Sequence, residues 1–451
     1  MNPRTRQLLE APLIPLLLKL AAPNVLVMMA QASVGLIETY FVARLGADAL
    51  AGVSLVFPAL MLAQMISAGA MGGGILSAIA RALGGGRRED ANALVWHALA
   101  IAIGLGLLTS LLMLTLGPAL YRTMGGVDGS LAAALTYSNT IFAGALLLWL
   151  FNSLAAVIRG TGDMALPAIV ICGGAAALIP LSPALILGFG PLPALGVRGG
   201  AIAVLAYYAI GAGVFAWRIW SGAGALRPAI RPPRLSFAAL WDILRVGAVS
   251  ALVSTTTNVT IATATGFAGA YGARAIAGYG AGARVEYMLV PLVFGFGAPM
   301  AALVGTNIGA GQRQRALRAA WIGALMATLV CESIGLLAAW RALDWIRLFS
   351  DDAETIEIGA RYLGVVGPAY GFFGLGLSLY FASQGAGRVG WALFAGILRV
   401  IVSIGGGWLA LRAEAGLTGV FLSLSLGLAI FGCVNVATVY AGVWFRGSAR
   451  S

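Results

Sequence analysis

Leu45–Gly46–Ala47–Asp48–Ala49–Leu50–Ala51–Gly52 returns in altered form, 226 residues later, as Tyr271–Gly272–Ala273–Arg274–Ala275–Ile276–Ala277–Gly278. One apolar segment further on, Gly84–Gly85–Gly86–Arg87–Arg88–Glu89–Asp90–Ala91 is answered by Gly309–Ala310–Gly311–Gln312–Arg313–Gln314–Arg315–Ala316, now at an offset of 225. In the same order, Arg159–Gly160–Thr161–Gly162–Asp163 pairs with Gln384–Gly385–Ala386–Gly387–Arg388, and Leu195–Gly196–Val197–Arg198–Gly199 with Ala415–Gly416–Leu417–Thr418–Gly419. The chain reads as a tandem duplication, and duplicated apolar chains commonly enclose a site between their halves.

Composition names the solvent of that duplication. With 60% apolar residues, 10% charged residues and 63 glycines, the chain is far from a soluble globule, in which about 25% of residues are charged. Its apolar runs are long enough to cross a bilayer, where backbone polar groups must bond within a helix. Twelve helices are expected over 13–43, 47–82, 90–119, 129–158, 164–188, 194–220, 237–269, 273–308, 314–340, 353–384, 389–411 and 416–445. The fold class is therefore an all-α integral membrane protein with two pseudo-symmetric six-helix lobes. Pro23, Pro58, Pro299 and Pro368 are the expected kinks, and Gly69 and Gly73 let neighbouring helices approach closely.

Residues 1–220 make the N-terminal lobe, 221–236 a Pro- and Arg-rich cytoplasmic linker, and 237–451 the C-terminal lobe. Placing both termini in the cytoplasm puts 18 basic residues on that face and eight outside, with Arg284 and Arg399 inside helices. This follows the positive-inside rule and predicts a multi-pass protein of a bacterial inner membrane. The net charge of +12 then reflects topology and contact with lipid headgroups; no basic patch interleaved with aromatics argues for nucleic acid. The N-terminal apolar run carries Lys19 and has no cleavage pattern, unlike a secretory signal. Cys172, Cys331 and Cys433 all lie in apolar runs and read as packing residues, with neither a disulfide nor a metal framework. No cofactor is implied, and a monomer is expected.

Ile37–Glu38–Thr39–Tyr40–Phe41–Val42–Ala43–Arg44–Leu45–Gly46, followed by Ala49–Leu50–Ala51–Gly52, resembles the first-helix signature of the multidrug and toxic compound extrusion (MATE) transporters. They belong to the multidrug/oligosaccharidyl-lipid/polysaccharide flippase superfamily. Val304–Gly305–Thr306–Asn307–Ile308–Gly309–Ala310–Gly311 is similar to the motif that ends the family's eighth helix. Gly188–Phe189–Gly190–Pro191 with Ala194–Leu195–Gly196–Val197 resembles its loop between helices five and six. The resemblance spans residues 11–445. It implies secondary active multidrug efflux by alternating access, in which an organic, often cationic compound leaves in exchange for a proton or sodium ion.

Ionisable groups deep in lipid are costly and so invite a functional reading. Glu38 lies six residues before Arg44, about 9 Å inside the outer end of the first helix. Asn24, Met28, Gln31, Gly35 and Glu38 recur every three or four residues and draw one polar stripe along that helix. Glu38, with Gln31 and Asn24, is therefore the expected cation or proton site; a structural Glu38 that pairs with Arg44 or caps a neighbouring helix is the alternative. The resemblance implies an acid here that couples transport to a cation. It also implies an asparagine and an aspartate before a helix-five proline, where this chain has Leu178 and Ser182 ahead of Pro183. That departure favours proton over sodium coupling.

Glu286 and Arg399 each lie roughly 17–18 Å along their helices, near midplane, and form a second charged site with Glu332 further off. They make either a permanent bridge or a relay. Helix seven, the repeat counterpart of helix one, presents Thr256 and Asn258 as candidate walls of the substrate cavity. Met28, Met61, Tyr137, Asn152, Tyr287, Phe294 and Tyr370 complete that set, since aromatic faces and thioethers suit drug- or dye-like cations. An enzyme is not expected: His97 is the only histidine, and no metal cluster, phosphate loop or nucleophile elbow appears. A flippase for lipid-linked oligosaccharide or a cell-wall precursor is the alternative reading; it calls for a strongly basic cavity.

Overall fold

The computed structural model describes residues 2–189 and 193–445, and within them the side chains of all but residues 31–37. A short helix, Pro3–Glu10, precedes twelve spanning segments. In the first half these are α1 Leu13–Ala43, α2 Ala47–Gly84, α3 Arg88–Thr123, α4 Asp128–Ala143 with Ala145–Gly160, α5 Ala165–Leu187 and α6 Val197–Trp220. The second half contributes α7 Phe237–Gly269, α8 Ala273–Gly309, α9 Arg313–Trp340, α10 Ala353–Gly385, α11 Gly390–Arg412 and α12 Gly416–Tyr440. Residues 221–236 form no helix and connect α6 to α7.

The sequence echoes fall on the turns between helices. Gly46 and Gly272 open α2 and α8 with φ of 112° and 98°, and Gly86 and Gly311 close the next turns at 73° and 74°. Only glycine enters that region freely, which is why these positions match across the halves. One apolar cluster draws on the first six spans and reaches Ile243 of α7, a second lies within residues 246–431, and a third joins Leu8, Leu16 and Leu17 of the first half to α8, α9 and α10.

A 49° bend divides α4 at Gly144, which no proline marks; there a Cβ would collide with the Leu205 side chain of α6. Pro23 and Pro299 lie within unbroken helices. Seven residues beyond Pro58, α2 widens to a π-helical stretch over Met65–Met71, a local insertion that often marks a working site. Pro368 does break α10, at the 3-10 turn Gly367–Ala369.

The lobes meet at the end that carries Pro3–Glu10 and the linker. Arg81 of α2 pairs with Asp242 of α7 at 2.6 Å, and Ser77 donates to the Gly385 carbonyl at 2.9 Å. Asn307 donates to the Leu8 carbonyl at 3.1 Å, and Arg315 to that of Ala11. Arg4 meanwhile pairs with Asp163, so the short helix straps both lobes. Among the described residues, inter-lobe hydrogen bonds reach no nearer the far end than Asn24 of α1, which donates to the carbonyls of Phe294 and Gly295 at 3.2 and 3.1 Å.

Candidate functional site

Two adjoining cavities occupy the space between that seal and the far end. The first, about 270 Å³, lies inside the N-terminal lobe among Glu38, Tyr137, Leu178, Tyr207 and Tyr208. Tyr137 Oη donates to Glu38 Oε1 at 2.8 Å. Across from it, a Cβ on Gly200 of α6 would stand 3.1 Å from the same oxygen; α6 passes close because that position is bare. Arg44 is not the partner of Glu38, since its guanidinium bonds Tyr40 Oη at 2.6 Å. Leu178 lines the wall where the resemblance implies an amide, and the buried Ser182 hydroxyl has no partner.

The second cavity, about 180 Å³, is walled by both lobes. Asn24, Met28, Met65 and Arg159 face it from one side, Ser254, Phe294, Phe381 and Gln384 from the other. Met61 and Gln64 line both cavities, so one turn of α2, just ahead of its π-helical stretch, divides them. Asn152 holds that turn: its amide nitrogen donates to Gln64 Oε1 at 3.2 Å and Ser67 Oγ at 2.8 Å.

In the C-terminal lobe Arg399 Nη2 lies 3.2 Å from Glu286 Oε1, both side chains buried. The guanidinium stands 5.8 Å from the ring centroids of Phe373 and Phe431. Burying both charges together, with aromatic faces on the cation, offsets much of the desolvation each would suffer alone. The lobes thus differ: among the described residues the Glu286 carboxylate has a cation and Glu38 has none.

Several expected groupings do not form. Asn24 precedes Glu38 by 14 residues, about 21 Å of helix, and its amide is committed to α8; it lines the inter-lobe cavity and does not join Glu38. The Gln31 side chain falls outside the described residues, as do Gly190 and Pro191. Glu332 stands apart from Glu286 and Arg399, accepting from the Gly371 N–H at 2.7 Å. It thereby caps the half of α10 that restarts after Pro368. Thr256 and Asn258 bond carbonyls of their own helix at 2.7 and 2.9 Å, as short polar side chains in helices do. Tyr287 is 52% exposed, and Tyr370 is buried against Tyr362. Met28, Met61, Tyr137 and Phe294 do line the cavities. Arg159, Gln384, Gln64 and the Tyr207–Tyr208 pair were not anticipated there; the repeat match of Arg159 with Gln384 was the available signal.

The family model MatE matches residues 23–184 and 250–409. The chain belongs to the MatE family. It is 29% identical over 380 residues to the FAD transporter of Shewanella oneidensis, covering 83% of the chain and 82% of that protein. The probable multidrug resistance protein NorM of Thermotoga maritima is 27% identical over 374 residues, with 82% and 80% covered. A crystal structure of MATE in the bent conformation superposes with a TM-score of 0.90 over 98% of both chains at 22% identity, which shows the shared fold. The chain is accordingly a multi-pass membrane transporter of the MATE family and not an enzyme.

Proposed function

We propose that this transporter exports small organic compounds in exchange for protons, with Glu38 as the proton site. The observation that carries the reading is the Glu38 carboxyl group, facing a cavity, bonded by one tyrosine hydroxyl and paired with no cation among the described residues. A proton needs one such oxygen. Sodium needs several, and Leu178 and Ser182 stand where the family resemblance implies an asparagine and an aspartate. The positive-inside count places the linker end in the cytoplasm, so the seal at that end describes an outward-facing state. Alternating access then requires the seal to part while the far end closes. Both cavities form within one chain, consistent with a monomer.

The relatives are named for drugs in one case and FAD in another, which leaves the substrate at the level of a small organic compound. A flippase for pyrophosphate-linked lipid is disfavoured: Arg399 is bound to Glu286, Arg284 lies 4.3 Å over the Phe349 ring, and Arg159 alone supplies a charge to the inter-lobe lining. The test is efflux from proteoliposomes with proton and sodium gradients imposed separately. Export driven by external acid, and not by sodium at symmetric pH, is expected. Robust sodium-driven export would overturn the reading.

A further inference from the structure

We propose that the inter-lobe cavity binds an organic anion, a planar aromatic compound whose phosphate, carboxylate or sulfonate pairs with Arg159. The proposal deepens the transport reading by naming the substrate class of the cavity between the lobes.

Arg159 is the penultimate residue of α4, set deep because Gly160 packs against Leu76 and Ile79 of α2. Only 8% of the residue is exposed, its side chain lines the cavity, and its Nε has no hydrogen-bond partner. No ion pair to it forms among the described residues. A buried guanidinium left so is costly. The nearest acid along the chain, Asp163, is already engaged: one oxygen pairs with Arg4 and the other accepts from the Leu166 N–H at 3.1 Å. None of the side chains around the cavity is acidic, so a ligand anion entering it would supply the missing counter-charge.

The remaining walls say what carries it. Phe294 and Phe381 meet edge to face at 4.9 Å on one side, with Met28, Met61 and Met65 opposite. Flat rings pack well against such aromatic edges and thioethers. Gln384, the repeat counterpart of Arg159, faces the same space but is neutral, its amide held by Ser250 Oγ at 2.9 Å. One positive charge therefore sits off-centre in an otherwise apolar and amide-lined space. A cation entering it would meet like charge, contrary to the cationic substrate that the family resemblance implies.

Flavin mononucleotide and riboflavin share a ring system and differ by one phosphate, so they isolate the charge. Equilibrium binding of each is measured by flavin fluorescence on the full chain in phosphatidylcholine nanodiscs. Flavin mononucleotide should bind about tenfold or more tighter, the usual gain from a charge-assisted hydrogen bond. Arg159→Gln should level the two, and Arg159→Lys should keep most of the difference. Equal affinities in the unmodified protein, no saturable binding of flavin mononucleotide, an undiminished preference in Arg159→Gln, or tighter binding of ethidium would each overturn the proposal. Displacement of flavin mononucleotide in proportion to added phosphatidylglycerol would overturn it in favour of a lipid headgroup; binding unaffected by that lipid supports it. Since binding needs no gradient, a failure of proton coupling at Glu38 leaves this result untouched.

Discussion

Arg81 Nη2 of the N-terminal lobe sits 2.6 Å from Asp242 Oδ2 of the C-terminal lobe, and the same guanidinium bonds Ser77 of its own helix. Arg245 flanks the carboxylate at 3.8 Å. The pair lies at the seal, so it contributes to one state of the transporter and not to the alternative. Asp242→Ala should shift the equilibrium away from the sealed state by on the order of 1 kcal/mol, roughly fivefold. Distances between spin labels on α2 and α7 at that end would report it, and the exchange Arg81→Asp with Asp242→Arg should restore much of the sealed population. Identical distance distributions in all three proteins would remove the pair from the gating equilibrium.

Glu38→Gln keeps the shape of the side chain and removes its titration. Proton-driven export should fall to background while the protein stays folded and binds its substrate. Tyr137→Phe, which deletes a hydroxyl donated to that carboxyl, should retain transport with an altered pH profile. Export by Glu38→Gln at the native rate under an imposed proton gradient refutes the assignment.

Loss of either partner of Glu286–Arg399 strands a buried charge, at about 3–5 kcal/mol. Glu286→Gln and Arg399→Met should each lower the thermal midpoint more than the double variant does. Additive losses around that cycle would mean the two side chains act independently.

Gly84 and Gly309 should respond alike to alanine. Each has backbone of the opposite lobe where a Cβ would go, and overpacking of this kind costs about 1–3 kcal/mol. Both variants should therefore depopulate the sealed state, read with the same spin labels. A response from only one of them would break the symmetry of the seal.

Much of this fold is legible in the sequence because apolar runs, glycine turns and a repeat offset are all local signals. The Gly144 bend is not, since no proline marks it and its close neighbour, Leu205, lies on another helix. Polar periodicity draws Asn24 and Glu38 on one stripe, yet α1 packs against both α8 and α5, and the two ends of the stripe enter different cavities. Arg159 reads as a loop charge beside a Gly-x-Gly turn; only the packing of Gly160 against α2 carries it inward. Glu286 and Arg399 were matched by depth, a quantity that rise per residue supplies directly.

At the seal, the carbonyl of Thr306 lies where Gly84 lacks a side chain, and the carbonyl of Arg81 lies where Gly309 lacks one. Residues 81 and 84 are the repeat counterparts of 306 and 309. Each half-chain therefore carries both knob and socket one turn apart on a single helix, and the contact is self-complementary in the manner of a homodimer. The segment 221–236 adds nothing to that fit. What the covalent joint does is hold two partners at equal number while their interiors drift apart, one keeping a bare acid and the other a neutralised one, a division of labour closed to two copies of the same gene product.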